Sequence, residues 1–447
     1  MTNPTARTSR ICRKAPQAPK GDDQPSGGSR AWLAIALGVA AVGWGANQFA
    51  PLLLMYRSDL GVSTTTVQAT YALYGVGLIP GLLLGGPYSD RYGRRRVLVP
   101  ALITSALASG LLMSAGSGLG WLFIGRLVAG AASGAAFSSG TAWIKELTAD
   151  GSGRDEHTGA RRATVGMTTG FAVGPLIAGL IAQAAPNPVL TSYLPHVALT
   201  LAAVPFVLRT PEPRKADGDA AFGLRLRLPE ASGRRFWTVV APLAPWVFGA
   251  SSVALAYLPG LVRDQLGDRA LMFSALVTTL TMVSGILVQP LARRVHHPEK
   301  PRLIATALGI VVGGLVLGAA AAAIAQWWLI AVAALVLGAG YGCCLVCGLM
   351  EVQRLAGAEN LGRLTAVFQA LAYLGFGAPY LLAVLERALP PPELLLLASV
   401  PAVLTLAWTA YRAAHGSDRT GGPREGDRAA ESLVSDVVLV RSRSRRP

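Results

Sequence analysis

Residues 85–98 read GGPYSDRYGRRRVL. Five charges, Asp90, Arg91, Arg94, Arg95 and Arg96, stand between two apolar runs at roughly 67–88 and 97–115. A membrane-crossing helix needs about 20 apolar residues, so each run is long enough to span a bilayer. A short basic joint between two such runs is a turn at a membrane surface. The same pattern recurs outward in both directions, with further apolar runs at roughly 31–55, 119–144, 163–184, 190–208, 237–261, 271–292, 303–325, 327–350, 364–385 and 394–411. Hydrophobic residues make up 52% of the chain and charged ones 14%, whereas soluble domains carry about 25% charged residues. The expected fold is an all-α integral membrane protein with twelve transmembrane helices in two six-helix halves.

The polar stretch 209–236 divides the spans six and six, and its PEPRKADGD at 211–219 has linker composition. The expected organisation is a basic N-terminal tail (1–30), a first bundle (31–208), a linker (209–236), a second bundle (237–412) and a C-terminal tail (413–447). The run Ala31–Met55 is too long for a signal-peptide core and lacks a clear cleavage site, so it is expected to remain as the first span.

Net charge is +16. In a soluble chain this would point to nucleic acid, but here the positives lie between apolar runs and serve topology, so no nucleic-acid partner is expected. With the N-terminus inside, 35 of the 40 Lys and Arg fall in inside segments; Arg57, Arg263, Arg269 and Arg387 fall outside, and Arg126 lies within a span. The positive-inside rule then sets both termini in the cytoplasm. Trp121, Trp327 and Trp328 are expected at the outer interface, and Trp237 and Trp408 at the inner one, as an aromatic belt against membrane lipids. The preference for Arg over Lys, 35 to 5, fits a bacterial source, and the expected location is the bacterial plasma membrane.

Internal repeats support the division into halves. RSDLG at 57–61 resembles RDQLG at 263–267, and GAASGAAFSSGTAWIKEL at 130–147 resembles GAGYGCCLVCGLMEVQRL at 338–355. GPYSDRYGRR at 86–95 has a decayed twin, GILVQPLARR at 285–294, with Gln289 where the acid would be. The arginines persist in both copies and the acid in one, so Asp90 is not explained by topology.

These residues resemble the signatures of the major facilitator superfamily. Its joint between spans two and three reads G-x-x-x-D-R-x-G-R-R, matched here by Gly86, Asp90, Arg91, Gly93, Arg94 and Arg95. Its fourth-span arginine followed by glycines resembles Arg126-LVA-Gly130-AAS-Gly134. Its fifth-span motif resembles Gly170-FAV-Gly174-Pro175-LI-Ala178-Gly179, with Ala178 departing from the family's glycine. The resemblance covers about 31–411. It implies two parallel six-helix repeats around a midplane site, no enzymatic activity, a monomer, a small-molecule substrate and, from the fifth-span motif, drug or metabolite export by proton antiport.

Read as chemistry, Asp90 at the C-terminal end of the second span opposes the helix dipole and needs a cationic partner. Gly86 is expected to admit a neighbouring helix and Gly93 to adopt positive φ. The set is expected to act as a gate on the inner side. Arg126, the one charge well inside a span, is a functional candidate by its cost alone; the resemblance makes it a proton-relay or substrate group, and the alternative is a structural arginine bonded to carbonyls. No Asp or Glu sits mid-span, which points to a neutral, amphipathic or anionic substrate. His196 is a further protonatable group, with packing as the alternative reading. Polar and aromatic residues expected at the cavity are Asn47, Gln48, Tyr71, Tyr74, Ser133, Trp246, Ser252, Tyr257, Tyr341, Gln369 and Tyr373, each with helix–helix hydrogen bonding as the alternative. Cys343 and Cys347 share a helix face, but no metal site or cofactor is expected. No Walker-type loop is present. Three functions stay open at this point: export, uptake by symport or uniport, and a transporter-like sensor or membrane enzyme.

Overall fold

The computed structural model describes residues 30–149, 155–212, 230–295, 302–357 and 360–416. The tails, most of the linker and the RSRSRR segment at 441–446 lie outside the described residues. Eleven described segments are long and apolar enough to cross a membrane. One of them, Gly233–Val295, has 63 residues, about 95 Å of helix at 1.5 Å per residue and some three times the hydrocarbon thickness. It folds back at Gly267, whose φ of +48° is open to glycine. Among the described residues the crossings are therefore twelve: α1 Ala31–Asp59, α2 Thr64–Tyr92, α3 Arg94–Ser117, α4 Gly120–Thr148, α5 Thr158–Ala184, α6 Pro188–Arg209, α7 (233–262), α8 Ala270–Val295, α9 Arg302–Ala323, α10 Trp327–Leu355, α11 Leu361–Leu385 and α12 Pro391–Arg412. The ends of α1 and α12 nearest the chain termini define the terminal face, and the opposite end is the far face.

Large apolar side chains such as Leu107, Leu287 and Leu404 stand exposed on the bundle's outer surface, as a hydrocarbon solvent requires and water would not. Trp121, Trp327 and Trp328 are exposed near the far-face ends of their helices, and Trp237 and Trp408 near the terminal-face ends.

The repeat read in the sequence has a packing reason. A side chain on Gly130 or Gly134 of α4 would run into the Tyr74 and Leu78 carbonyls of α2. Their counterparts Gly338 and Gly342 of α10 meet the Thr281 and Gly285 carbonyls of α8 in the same way. Small residues let helix backbones approach where no hydrophobic force drives association. The halves meet along α5–α8, where Thr279 Oγ1 donates to the Ala172 carbonyl at 3.0 Å, and along α2–α11, where Thr65 Oγ1 reaches the Ala383 carbonyl at 3.4 Å.

Several spans are irregular. α1 is interrupted at Gln48, between the helices Ala31–Asn47 and Phe49–Asp59. Pro51, four residues after Asn47, has no N–H for the Asn47 carbonyl. α7 contains two wide turns, Phe236–Val240 and Val253–Tyr257, and α11 tightens over Leu374–Gly377. Such departures from regular helix cluster at functional sites.

Candidate functional site

Midway along the bundle, both halves contribute to a central cavity. Ala46, Asn47, Tyr74 and Phe171 come from the first half, and Phe248, Ser251, Leu255, Met282, Tyr341, Tyr373 and Phe376 from the second. Its free volume is about 10 Å³, room for roughly one water. Rings close it. Phe248 stacks on Tyr373 with centroids 4.4 Å apart and planes 11° from parallel, and Phe376 touches Tyr71 and Tyr74 across the halves at 5.2 and 5.6 Å. A ligand enters only if the halves part, which is how a site between two rigid bundles changes access.

Four of the sequence candidates, Asn47, Tyr74, Tyr341 and Tyr373, line this cavity. Gln48 turns away: its Oε1 accepts from Trp44 Nε1 at 3.0 Å and its Nε2 reaches Ser109 Oγ at 3.4 Å. Ser109 Oγ in turn lies 2.8 Å from His196 Nδ1, so His196 is a fully buried member of a polar chain inside the first half. Trp246 donates to Thr405 Oγ1 at 3.2 Å within the second half. Tyr71 packs on Phe376, Ser133 is buried on α4, and Gln369 is half-buried on α11. Tyr257 lines a different cavity at the far face. Phe171, Phe248 and Phe376 were not among the candidates. They carry no polar atom, and in an apolar helix only its rotation distinguishes a cavity ring from a packing ring.

Asn47 and Ser252 share a chemical task. Pro175 in α5 has no N–H, so the carbonyl four residues earlier, Phe171, loses its helical partner. Asn47 Nδ2 donates to that carbonyl at 3.3 Å. Pro379 in α11 likewise offers no N–H to the Gly375 carbonyl, which the tightened turn reaches through the Ala378 N–H instead, and Ser252 Oγ donates to it at 2.9 Å. α1 thereby clamps α5, and α7 clamps α11, at equivalent places in the two halves.

Arg126 sits six residues into α4 and is fully buried. Its guanidinium carbon lies 4.3 Å from the ring centroids of both Phe49 and Tyr74 and 6.0 Å from that of Tyr71. Its three nitrogens have no hydrogen-bond partner among the described residues. Carbonyl bonding, the structural alternative, is therefore not what holds it; ring faces stand in for a counter-ion, worth about 2 kcal/mol each when desolvated. A second pair, Tyr56 and Tyr193, joins hydroxyls at 2.7 Å in the same half.

At the terminal face the motif of residues 86–95 is built around Arg94 rather than Asp90. Arg94 is buried and bonds Asp90 Oδ1 at 2.5 Å, Glu146 Oε1 at 2.7 Å and Ser89 Oγ. Asp90 is half-exposed and its ion pair lies within its own half. Gly93 holds φ +104°, a conformation reserved for glycine. The turn it makes aims the Arg95 amide at the Glu212 carboxylate, while Arg95 Nη2 donates to the Thr210 carbonyl at 2.6 Å. Arg91 lies over the Tyr92 ring at 5.6 Å. The expectation that Gly86 admits a helix is corrected: a side chain there would make ordinary contact at 3.9 Å, and it is Gly85 that presses on Ser138 and Ala135 of α4.

The fifth-span glycines form a contact face. Side chains on Gly170 or Gly174 would strike the Ala40 carbonyl or Trp44 of α1, and one on Gly179 would strike Ala275 of α8. Cys343, Cys344 and Cys347 are buried in α10.

Comparison with known proteins follows this geometry. The family model for the Major Facilitator Superfamily matches residues 33–378. A chloramphenicol resistance protein of Pseudomonas aeruginosa is 27% identical over 280 residues, 61% of this chain and 64% of that protein. Shorter matches join it to the glucose transporter GlcP of Staphylococcus epidermidis (30% over 112 residues, 25% of each chain) and to the puromycin resistance protein pur8 of Streptomyces alboniger (34% over 127 residues, 28% of this chain and 25% of that one). The chain thus matches less than two thirds of the length of each of these relatives. A solved POT family transporter in complex with 5-aminolevulinic acid shares the fold with a TM-score of 0.72 at 11% identity, over 86% of this chain and 96% of that one.

Proposed function

Because the chain belongs to the Major Facilitator Superfamily, we propose that it is a secondary transporter that exports a small drug-like molecule or secondary metabolite in exchange for protons, by rocking its halves about the central cavity. The observation that carries this reading is the cavity itself: both halves supply its walls, rings dominate it, and no carboxylate lines it. Such a wall suits an amphipathic molecule that is neutral or anionic. The two antibiotic resistance proteins among the relatives support export. Gly170 and Gly174, packed on α1 beside the Pro175 break, support the antiporter reading of that motif. The terminal face is taken as cytoplasmic on its Arg content, in a bacterial inner membrane, with a monomer as the working unit.

In this reading Arg94 and its carboxylates form the inner gate, and Arg126 is the group through which a proton or substrate charge is felt in the first half. The test is flux in inverted vesicles under an imposed pH gradient, with chloramphenicol, puromycin and neutral or anionic amphiphiles. Gradient-dependent uptake into the vesicles is expected, and Asp90→Asn is expected to insert normally and lose most of that flux. Flux that ignores the pH gradient would remove proton coupling, and wild-type flux in Asp90→Asn would remove the gate. The similarity to a glucose transporter favours a second reading, uptake of a small metabolite. Protein-dependent accumulation of a sugar in whole cells would select it.

A further inference from the structure

A second cavity, of about 290 Å³, opens at the far face. It shares no residue with the central one. α1 and α2 form one wall, and α7, α11 and the start of α12 the other, so it exists only where the halves are apposed. Most of its lining is apolar, Leu53, Val67 and Leu261 among it. Its volume is at the lower end for ligand pockets, which sets a small ligand.

Besides Thr64, four polar groups converge on it. Gln68 is 4% exposed; its Nε2 donates to the Ala256 carbonyl across the halves at 2.6 Å, and its Oε1 has no partner. Tyr257 is 2% exposed, and its hydroxyl faces the Glu386 carboxylate without closing a hydrogen bond within 3.5 Å. Two buried polar atoms left unmatched, one on each wall, mark a site shaped for something that supplies the missing bonds. The other two groups are charged and opposite: Arg57 at the end of α1 and Glu386 at the end of α11. They form no salt bridge with each other. A purely cationic ligand would meet Arg57, and a purely anionic one Glu386. A neutral ligand would leave both charges unanswered.

We propose that the far-face cavity binds a small zwitterion with an apolar body, an amino acid or a compound derived from one. Its carboxylate pairs with Arg57, its ammonium pairs with Glu386 and donates to Gln68 Oε1, and its apolar body lies against Leu53, Val67 and Leu261. Because the walls belong to different halves, the bound molecule holds them together at this face.

The test is a binding assay and does not depend on transport. The full chain is reconstituted in nanodiscs and titrated with tritiated L-phenylalanine, with phenethylamine and 3-phenylpropionate as competitors that each keep one charge. Saturable binding is expected, displaced by unlabelled L-phenylalanine about tenfold or more better than by either analogue, since each lost charge-assisted pair is worth at least that. Arg57→Gln should erase the advantage over phenethylamine, and Glu386→Gln the advantage over 3-phenylpropionate. Gln68→Leu should abolish binding. The two charge variants sit at half-exposed helix ends and change which analogue competes, an outcome that misfolding cannot produce. Absence of saturable binding, equal displacement by single-charge analogues, or wild-type binding in Gln68→Leu overturns the proposal.

Discussion

In the first half, Asn47 of α1 donates to the Phe171 carbonyl of α5; in the second, Ser252 of α7 contacts the Gly375 carbonyl of α11. The residues differ, but the geometry repeats at a nearly constant spacing along the chain. What surrounds the two clamps differs more. In the first half, Gly170 and Gly174 bring α5 onto the backbone of α1. The second-half positions 204 residues later are Leu374 and Ala378. Leu374 is 57% exposed, and the helix tightens there over Leu374–Gly377. Duplication kept the proline and its clamp and shifted the close helix contact by one residue: in the second half a side chain on Gly375 would strike the Gly249 amide and the Pro245 carbonyl of α7. The difference is one of extent: α5 meets α1 over two glycines a turn apart, Gly170 and Gly174, whereas α11 meets α7 at the single Gly375, the residue that also carries the clamped carbonyl.

The strongest way to break this comparison is to exchange the residues at the contact. Gly170→Leu forces a side chain into the Ala40 carbonyl, where nothing flexible can yield. A loss of more than about 4 kcal/mol is expected, the range reserved for severe backbone clashes. Leu374→Gly removes an exposed side chain and should cost under about 1 kcal/mol, chiefly backbone entropy. Size-exclusion profiles after graded heating measure both. Similar losses at the two sites would show that position 374 is held as closely as position 170 and that the contact in α11 is not confined to Gly375.

The charged joints come next. Arg94 is buried between Asp90 and Glu146, and Arg293 at the twin joint is exposed beside a chain position occupied by Gln289. Arg94→Gln leaves two carboxylates facing each other. Breaking a buried pair costs about 3–5 kcal/mol, and the half-exposed Asp90 sets the expectation at the lower end. Arg293→Gln should move thermal stability by no more than about 0.5 kcal/mol. Equal melting shifts would mean the acid makes no difference between the joints.

Arg126 has no counterpart either, since Ala334 stands 208 residues later. Exchanging a buried cation without hydrogen-bond partners for Met is expected to raise stability by about 1–4 kcal/mol while transport is lost. Thermal unfolding and vesicle flux on the same preparation separate the two effects. A destabilised Arg126→Met would mean that the rings around Phe49 and Tyr74 hold the cation more firmly than water would.

Much of this was legible from residue order, because the signals were local. Apolar length marked the spans, and the Gly130/Gly338 repeat marked equivalent helix contacts. The terminal-face motif was legible as a unit, although its hub is Arg94 rather than Asp90. What stayed hidden depends on helix rotation, 100° per residue. One step separates Asn47, on the cavity, from Gln48, turned to Trp44 and Ser109, and one step separates Gly85, on α4, from Gly86. The rings Phe248 and Phe376 and the far-face cavity depend on how the halves meet, which no single segment encodes. The clamps were within reach: a polar residue in each half's first span lies 124 and 123 residues before the carbonyl it contacts.

The clamps supply the smallest and most specific test. Asn47→Leu leaves the Phe171 carbonyl buried without a partner, a cost of about 1–3 kcal/mol. In a Pro175→Ala background the restored N–H can bond that carbonyl within the helix, so the same Asn47→Leu change should then cost close to nothing. The coupling between the two changes, about 1 kcal/mol or more, is the signature of a direct clamp. Ser252→Ala with Pro379→Ala should show the same sign and a smaller size, because the Gly375 carbonyl keeps the Ala378 N–H and Ser252 Oγ also contacts its own Gly249 carbonyl at 3.1 Å. Additive costs in the first half would detach Asn47 from Pro175 and return it to the cavity as a ligand group. Coupling in the first half without any in the second would confine the clamp to α1–α5 and leave α11 held by its rings and by the Gly375 contact with α7.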